Sequence, residues 1–158
     1  MITFDRGEKR FNYRIAGVAI AKGSVLVHKA EGDAFWTFPG GRAEMGEPAE
    51  QTLKREMMEE LGAEVNVIRP LWFVENFFAY DGKDYHEVAL YFLMEFLDHG
   101  PVLEGQPPYI GLDGQDVALF QWVSQDCQAL RALPLLPSFV PAAIDTLPSS
   151  LQHVVHVD

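Results

Sequence analysis

Five segments of the chain are rich in β-branched and aromatic residues, a pattern that is typical of β-strands. They run from Phe11 to Ala21, Ser24 to His28, Val65 to Phe78, Tyr85 to Phe96 and Leu119 to Val123. The terminal LQHVVHV alternates between polar and apolar residues and predicts a last strand. The sequence therefore predicts a chain built largely on sheet.

A helix is predicted between the second and third of these strands. Pro48 suits its first turn, and Gly62 provides a natural C-cap after Leu61. Two further helices are expected near the carboxyl end, one capped by Ser124 and running through Cys127 and Leu130, the other capped by Ser138 and running through Ile144. Helices packed on mixed sheets make an α/β architecture.

The segment from Gly100 to Gly114 is dense in glycine and proline and predicts a long loop inside one domain, because no linker composition or internal repeat divides the chain. Residues 1 to 158 are therefore expected to form a single domain, and 48% hydrophobic residues are ample for its core.

Charge and composition limit the compartments and the binding partners that can be expected. A formal net charge of -11 argues against long nucleic acid, because phosphate backbones repel such a surface. No apolar stretch is long enough for a membrane span or resembles a signal peptide, so the cytoplasm is the expected compartment and no membrane is an expected partner. A single cysteine, Cys127, excludes an internal disulfide.

The predicted helix carries an unusual set of acids. At 100° per residue, Glu56 and Glu60 border the apolar stripe that contains Leu53 and Met57, and Glu59 lies roughly 80° from it. Like charges three and four residues apart cost about 0.2 to 0.5 kcal/mol per pair, and the helix dipole disfavours anions in the last turn. A hard cation such as Mg²⁺ or Mn²⁺ would neutralise them, whereas a solvated acidic helix is the alternative.

The segment FPGGRAEMGEPAEQTLKREMMEELGAEV, residues 38 to 65, resembles the box of the Nudix hydrolase family, G-x5-E-x7-R-E-U-x-E-E-x-G-U with U a bulky aliphatic residue. Met57 and Ala63 occupy the two U positions and depart mildly from that preference. All seven fixed positions match, namely Gly41, Glu47, Arg55, Glu56, Glu59, Glu60 and Gly62.

The resemblance implies a Nudix fold, a mixed sheet sandwiched between helices, and metal-dependent hydrolysis of a nucleoside diphosphate linked to another moiety. It implies that Glu56, Glu59 and Glu60 bind Mg²⁺ or Mn²⁺ and that Gly41 contributes a backbone carbonyl. Arg55 would orient these carboxylates, and Glu47 would pair with it.

The resemblance leaves the general base open. Glu56 is one candidate, and a distant loop offers Asp113 and Asp116, where an Asx turn is the alternative role for Asp116. Glu87, at the start of a strand, is a further candidate, although we expect it to face solvent, as we expect for its neighbour His86.

Two basic residues are candidate substrate contacts. Lys29 and Arg14 could bind phosphate, with a surface position as the alternative for each. The FFAYDGKDYHE segment predicts a hairpin around Asp81-Gly82, whose aromatic flanks could serve a homodimer. The alternative function is a catalytically silent module of the same fold that senses a nucleotide or nucleotide sugar; the complete set of box glutamates favours the enzyme.

Overall fold

The computed structural model describes residues 1–97 and 107–158. The strands are β1 (Thr3–Arg6), β2 (Lys9–Ala21), β3 (Ser24–Ala30), β4 (Gly40–Arg42), β5 (Val65–Tyr80), β6 (Lys83–Phe96), β7 (Tyr109–Asp113), β8 (Asp116–Ser124) and β9 (Gln152–Val157). The helices are α1 (Ala49–Leu61), α2 (Cys127–Ala132) and α3 (Val140–Ala143).

The strands form a mixed sheet in the order β7-β8-β3-β2-β6-β5-β9, with β1 and β4 also paired to β2. The pairs β2 with β6 and β5 with β9 are parallel, and the other pairs are antiparallel. β2 meets β3 through two residue pairs, Ile20 with Val25 and Ala21 with Ser24. Strands β3, β7 and β8 thus form a second wing that joins the main sheet at the end of β2.

Helices cover both faces of the main sheet. On one face, Leu53 and Met57 of α1 pack with Ile15, Phe92 and Met94 of the sheet. On the other face, residues of α2 and α3 join a second buried cluster, which includes Trp36, Phe38, Trp72, Tyr91, Leu130, Val140 and Ile144. The predicted α/β architecture, a mixed sheet between helices, is therefore confirmed.

The long hairpin of β5 and β6 turns at the predicted dipeptide. Tyr80 pairs with Lys83, and both Asp81 (φ 48°) and Gly82 (φ 72°) have positive φ angles. Two consecutive positive φ angles are typical of the type I′ turn, whose twist matches that of the flanking strands.

The two predicted caps of the carboxyl-terminal helices are wrong. Asp126 caps α2, because its carboxylate accepts hydrogen bonds from the backbone of Gln128 and Ala129, and an anion suits a helix amino terminus better than the hydroxyl of Ser124. Ser138 precedes α3 but donates its hydroxyl to Asp158 Oδ1 at 2.5 Å, so it fastens the end of the chain instead of the helix.

Three short strands were not predicted. β1 and β4 have four and three residues, and β7 lies within the segment expected to be a loop, whose residues 100–106 fall outside the described part. The predicted terminal strand is confirmed as β9. In the described ranges, no helix is long and apolar enough to cross a membrane.

Candidate active site

Helix α1 places its acids as the sequence predicts. Leu53 and Met57 are fully buried and fix the helix on the sheet. Glu56 (8% exposed) and Glu60 (5%) flank that stripe, whereas the Glu59 side chain is 58% exposed. Two carboxylates therefore lie at the buried border of the helix and the third at its open side.

Arg55 connects the acids of the box into one network. Its Nε and Nη2 donate to the two oxygens of Glu47 at 2.8 and 3.0 Å, a bidentate pair. Its Nη1 donates to Glu56 Oε1 at 2.6 Å and to Glu59 Oε2 at 3.2 Å, and its Nη2 also donates to the Arg42 carbonyl at 3.2 Å. One guanidinium thus fixes helix α1, strand β4 and the connection between them.

The network shifts the ionisation of its members. The hydrogen bond from Arg55 lowers the pKa of Glu47 to about 2, assisted by the Thr52 hydroxyl. Burial raises the pKa of Glu56, and the hydrogen bond and charge of Arg55 oppose that rise. Glu47 is therefore an anion at any ordinary pH, while Glu56 is a more basic carboxylate than an exposed one.

Gly41 lies against the carboxylate of Glu56. A Cβ atom at position 41 would be 2.2 Å from the Glu56 carboxyl carbon, so only glycine lets the backbone of β4 come this close. The Glu56 carboxylate thus lies against the backbone of β4, and carboxylate and carbonyl oxygens are the donors that suit Mg²⁺ or Mn²⁺.

The carboxylates of Glu56 and Glu59 are paired with Arg55. Among the described residues, no three His, Cys, Asp or Glu side chains are already gathered as a metal site. The oxygen-rich donors, with Glu56 lying against both Arg55 and Gly41, fit a hard cation.

His28 is a site residue that the sequence did not reveal. Its Nδ1 lies 3.7 Å from Glu60 Oε2, its Nε2 lies 3.4 Å from Arg14 Nη2, and its ring meets Phe120 edge-on. The one available signal was its place at the end of a predicted strand. It links the acidic helix to β2.

Arg14 and Lys29 are partly buried and hold the segment 33–38, which joins β3 to β4. Arg14 donates to the Phe38 carbonyl at 3.0 Å, and Lys29 donates to the Asp33 carbonyl at 2.9 Å with its Nζ 5.1 Å from the centre of the Trp36 ring. Phosphate binding by either side chain stays a prediction.

Glu87 does not face solvent, so that expectation is wrong. It is 6% exposed, accepts a hydrogen bond from Asn12 Nδ2 at 2.8 Å, and shares a strand face with Ala89 and Tyr91, opposite the face on which α1 packs. His86 is exposed, as expected. The burial of Asn12 beside Glu87 was not predicted.

Asp113 and Asp116 pair with each other at the turn between β7 and β8. Asp116 is exposed, and the Asp113 side chain lies outside the described part of the structure. A Cβ at Gly111 would be 2.7 Å from the Glu60 carbonyl oxygen, so this hairpin lies against the end of α1. Their role as general base stays a prediction.

The comparisons with known proteins agree with this geometry. The family described as the NUDIX domain matches residues 12–136. The chain is 35% identical over 85 residues to a putative mutator protein MutT4 of Mycobacterium tuberculosis, covering 52% of this chain and 34% of that protein. It is 39% identical over 66 residues to an 8-oxo-dGTP diphosphatase of Proteus vulgaris, covering 42% of this chain and 55% of that protein.

The chain thus spans about a third and about half the length of these two relatives. The crystal structure of a MutT protein from Bacillus halodurans superposes with a TM-score of 0.64 over 92% of this chain and 89% of that one, at 18% identity, which establishes the fold alone. With the family match over most of its length, a complete box and this fold, the chain belongs to the Nudix hydrolase family.

Proposed function

We propose that this chain hydrolyses the diphosphate linkage of a nucleoside diphosphate derivative, NDP-X, to a nucleoside monophosphate and P-X. The observation that carries the proposal is the contact of Glu56 with both Arg55 and the backbone of Gly41 at the buried edge of α1. A solvated acidic helix has no need of a glycine beneath a carboxylate.

The residues suited to hold Mg²⁺ or Mn²⁺ are Glu56, Glu59, Glu60 and the carbonyl of Gly41. All four offer oxygen donors, the kind these cations prefer. A bound divalent cation would neutralise the diphosphate oxygens and lower the pKa of a bound water.

The protein groups then have separate tasks. Arg55 orients Glu56 and Glu59, and Glu47 holds Arg55 in its bidentate geometry. Glu56 accepts the proton of the attacking water, because burial makes its carboxylate more basic. The water oxygen bonds to phosphorus while the bond to the bridging oxygen breaks, and that oxygen leaves with P-X. Asp116 and Asp113 are the alternative bases.

The names of the relatives indicate the first substrates to assay. One of them is named an 8-oxo-dGTP diphosphatase, so nucleoside triphosphates come first in the panel. ADP-ribose, nucleotide sugars and dinucleoside polyphosphates complete the panel.

The decisive experiment compares two glutamines on one helix. Glu60→Gln should lower kcat with Mg²⁺ or Mn²⁺ by about 10² or more, whereas Glu50→Gln, at an exposed position in the first turn, should leave it unchanged. Circular dichroism and thermal unfolding establish that both variants fold. Unchanged turnover in the folded Glu60 variant contradicts the metal assignment, and no turnover of any panel member by the wild type favours a binding module.

A further inference from the structure

Three polar side chains lie side by side within the main sheet. In the register of the strands, Glu87 of β6 is opposite Asn12 of β2 on one side and Asn76 of β5 on the other. Asn12 is 4% exposed, Glu87 6% and Asn76 4%. We call these three residues the polar row. Buried polar groups in the middle of a sheet are unusual unless something pairs with them.

The polar row presents hydrogen-bond acceptors. Asn12 Nδ2 donates to Glu87 at 2.8 Å, and this bond fixes the orientation of the amide, because its oxygen would be repelled by the carboxylate. Within residues 1–97 and 107–158, the amide oxygens of Asn12 and Asn76 are shielded from solvent and accept no hydrogen bond. A carboxylate and two amide oxygens thus call for a partner with several N-H or O-H groups.

The polar row lies under the segment 33–38. At one end of that segment, the Tyr80 hydroxyl donates to Asp33 at 2.9 Å. At its other end, the Phe38 ring meets Tyr91 at 6.2 Å. Because Glu87 shares its strand face with Tyr91 and its partner Asn76 shares one with Tyr80, the polar row lies between these two contacts. The polar row therefore lies on the face of the main sheet that this segment covers, and a ligand would enter between the two.

A chain of side chains joins the polar row to the acidic helix. Arg14 is two residues from Asn12 on the same face of β2, which is about 7 Å along a strand. Arg14 approaches His28 at 3.4 Å, and His28 approaches Glu60 at 3.7 Å. A nucleotide with its phosphates at α1 could reach the polar row with its other end.

We infer that the polar row, with Glu87 at its centre, binds the base of the nucleotide and selects a base edge that has several N-H donors, the guanine type. This inference rests on the proposed function for the position of the phosphates. It makes Glu87 a specificity-determining residue rather than the general base.

The chemistry of the bases decides the choice. Guanine presents a ring N-H beside an exocyclic amine, so two donors can meet the two oxygens of one carboxylate. Adenine and cytosine place a single amine beside a ring nitrogen acceptor, which Glu87 would repel. Uracil and thymine place one N-H between two carbonyl oxygens, so they offer Glu87 a single donor and set a carbonyl oxygen against its second oxygen. A site that hydrogen-bonds a group discriminates strongly against analogues that lack it.

The test measures equilibrium binding of GMP, IMP and AMP to the whole chain by calorimetry in EDTA, where no hydrolysis is needed. We expect the wild type to bind GMP at least tenfold more tightly than IMP, which lacks the exocyclic amine, and than AMP. Glu87→Gln turns one acceptor into a donor and should weaken GMP binding at least tenfold and abolish the preference.

The matched control is Glu95→Gln on the same strand, where Glu95 accepts a hydrogen bond from Asn66 on the exposed surface. It should bind all three ligands like the wild type. Equal or undetectable binding of the three by the wild type, or a preference that survives in the Glu87 variant, overturns the inference.

If Glu87→Gln does not fold, GMP binding is measured on Asn76→Ala, which lacks one acceptor of the polar row and should bind GMP more weakly than the wild type. The wild-type preference for GMP over IMP is then the second measurement. Turnover without base preference would remove this inference and keep the proposed function; preference without turnover of any diphosphate would do the reverse.

Discussion

At the scale of single residues, the negative charges of the box are gathered around one positive side chain, that of Arg55. Three glutamates contact one guanidinium, and Arg55 has five N-H donors in a planar fork that can serve all of them. Lysine, a compact point charge, could not hold Glu47 through two parallel bonds while also reaching Glu56. The arginine therefore positions the carboxylates and does more than balance their charge.

The pairing of Glu47 with Arg55 makes the free energy of unfolding depend on pH in the acid range. Because Arg55 lowers the pKa of Glu47 from 4.5 to about 2, Glu47 contributes stability that is fully present above about pH 4.5 and is lost as the pH falls toward 2. Glu47→Gln lacks that contribution. We expect the difference in free energy of unfolding between wild type and variant to shrink as the pH falls from 5 to about 2, measured by urea denaturation. A difference that grows with acidification would contradict the assignment.

The sequence predicted some residues of the site and missed others for a physical reason. The period of a helix places Glu56 and Glu60 at the edge of an apolar stripe without any knowledge of the rest of the fold. A strand has two faces, and its period of two does not say which one is covered. The pattern therefore favours solvent for Glu87 and gives no signal for Asn12 and Asn76, because burial there depends on the segment 33–38 and the second wing.

At the scale of elements, α1 depends on its apolar stripe. Met57 is fully buried, whereas its neighbour Met58 is 44% exposed on the same helix. Met57→Ala should lower the free energy of unfolding by about 2 to 5 kcal/mol, because it removes buried atoms and leaves a cavity.

The neighbouring methionine provides the control for that measurement. Met58→Ala should change the free energy of unfolding by less than about 0.5 kcal/mol, since it vacates little core volume. Thermal or denaturant unfolding of both variants measures the contrast. Equal losses of unfolding free energy in the two variants would mean that α1 does not pack on the sheet through its Met57 face.

The elements that escaped prediction are stabilised by tertiary contacts rather than by local preference. β4 contains two glycines, which are poor strand residues, yet a Cβ at Gly40 would be 2.0 Å from the Ile15 carbonyl oxygen. The backbone there is pressed against β2, so the strand exists because its neighbour approaches so closely. β7 similarly exists through its pairing with β8 in a segment whose composition favours a loop.

At the scale of the whole molecule, the net charge of -11 is compatible with the proposed anionic substrate, because the negative charges of the box are partly offset by cations. Arg55 offsets part of the negative charge of Glu47 and Glu56, and a divalent cation would offset the charge that remains on the carboxylates of the helix. The family resemblance predicted the layers of the fold. The position of the second wing relative to the polar row depends on how β2 leaves the main sheet, which no local pattern encodes.

Strand β2 pairs with β1, β3, β4 and β6, and it carries both Asn12 and Arg14. Local opening of β2 would break four ladders at once, so its amides should exchange with deuterium only through global unfolding. We expect Ala16 and Val18 to be among the slowest exchanging amides, and those of β1, at an edge, to exchange much faster. Asn12 of the polar row and Arg14, which leads toward the box, would then lie on one rigid strand. A substrate could not move one of these two side chains without moving the other.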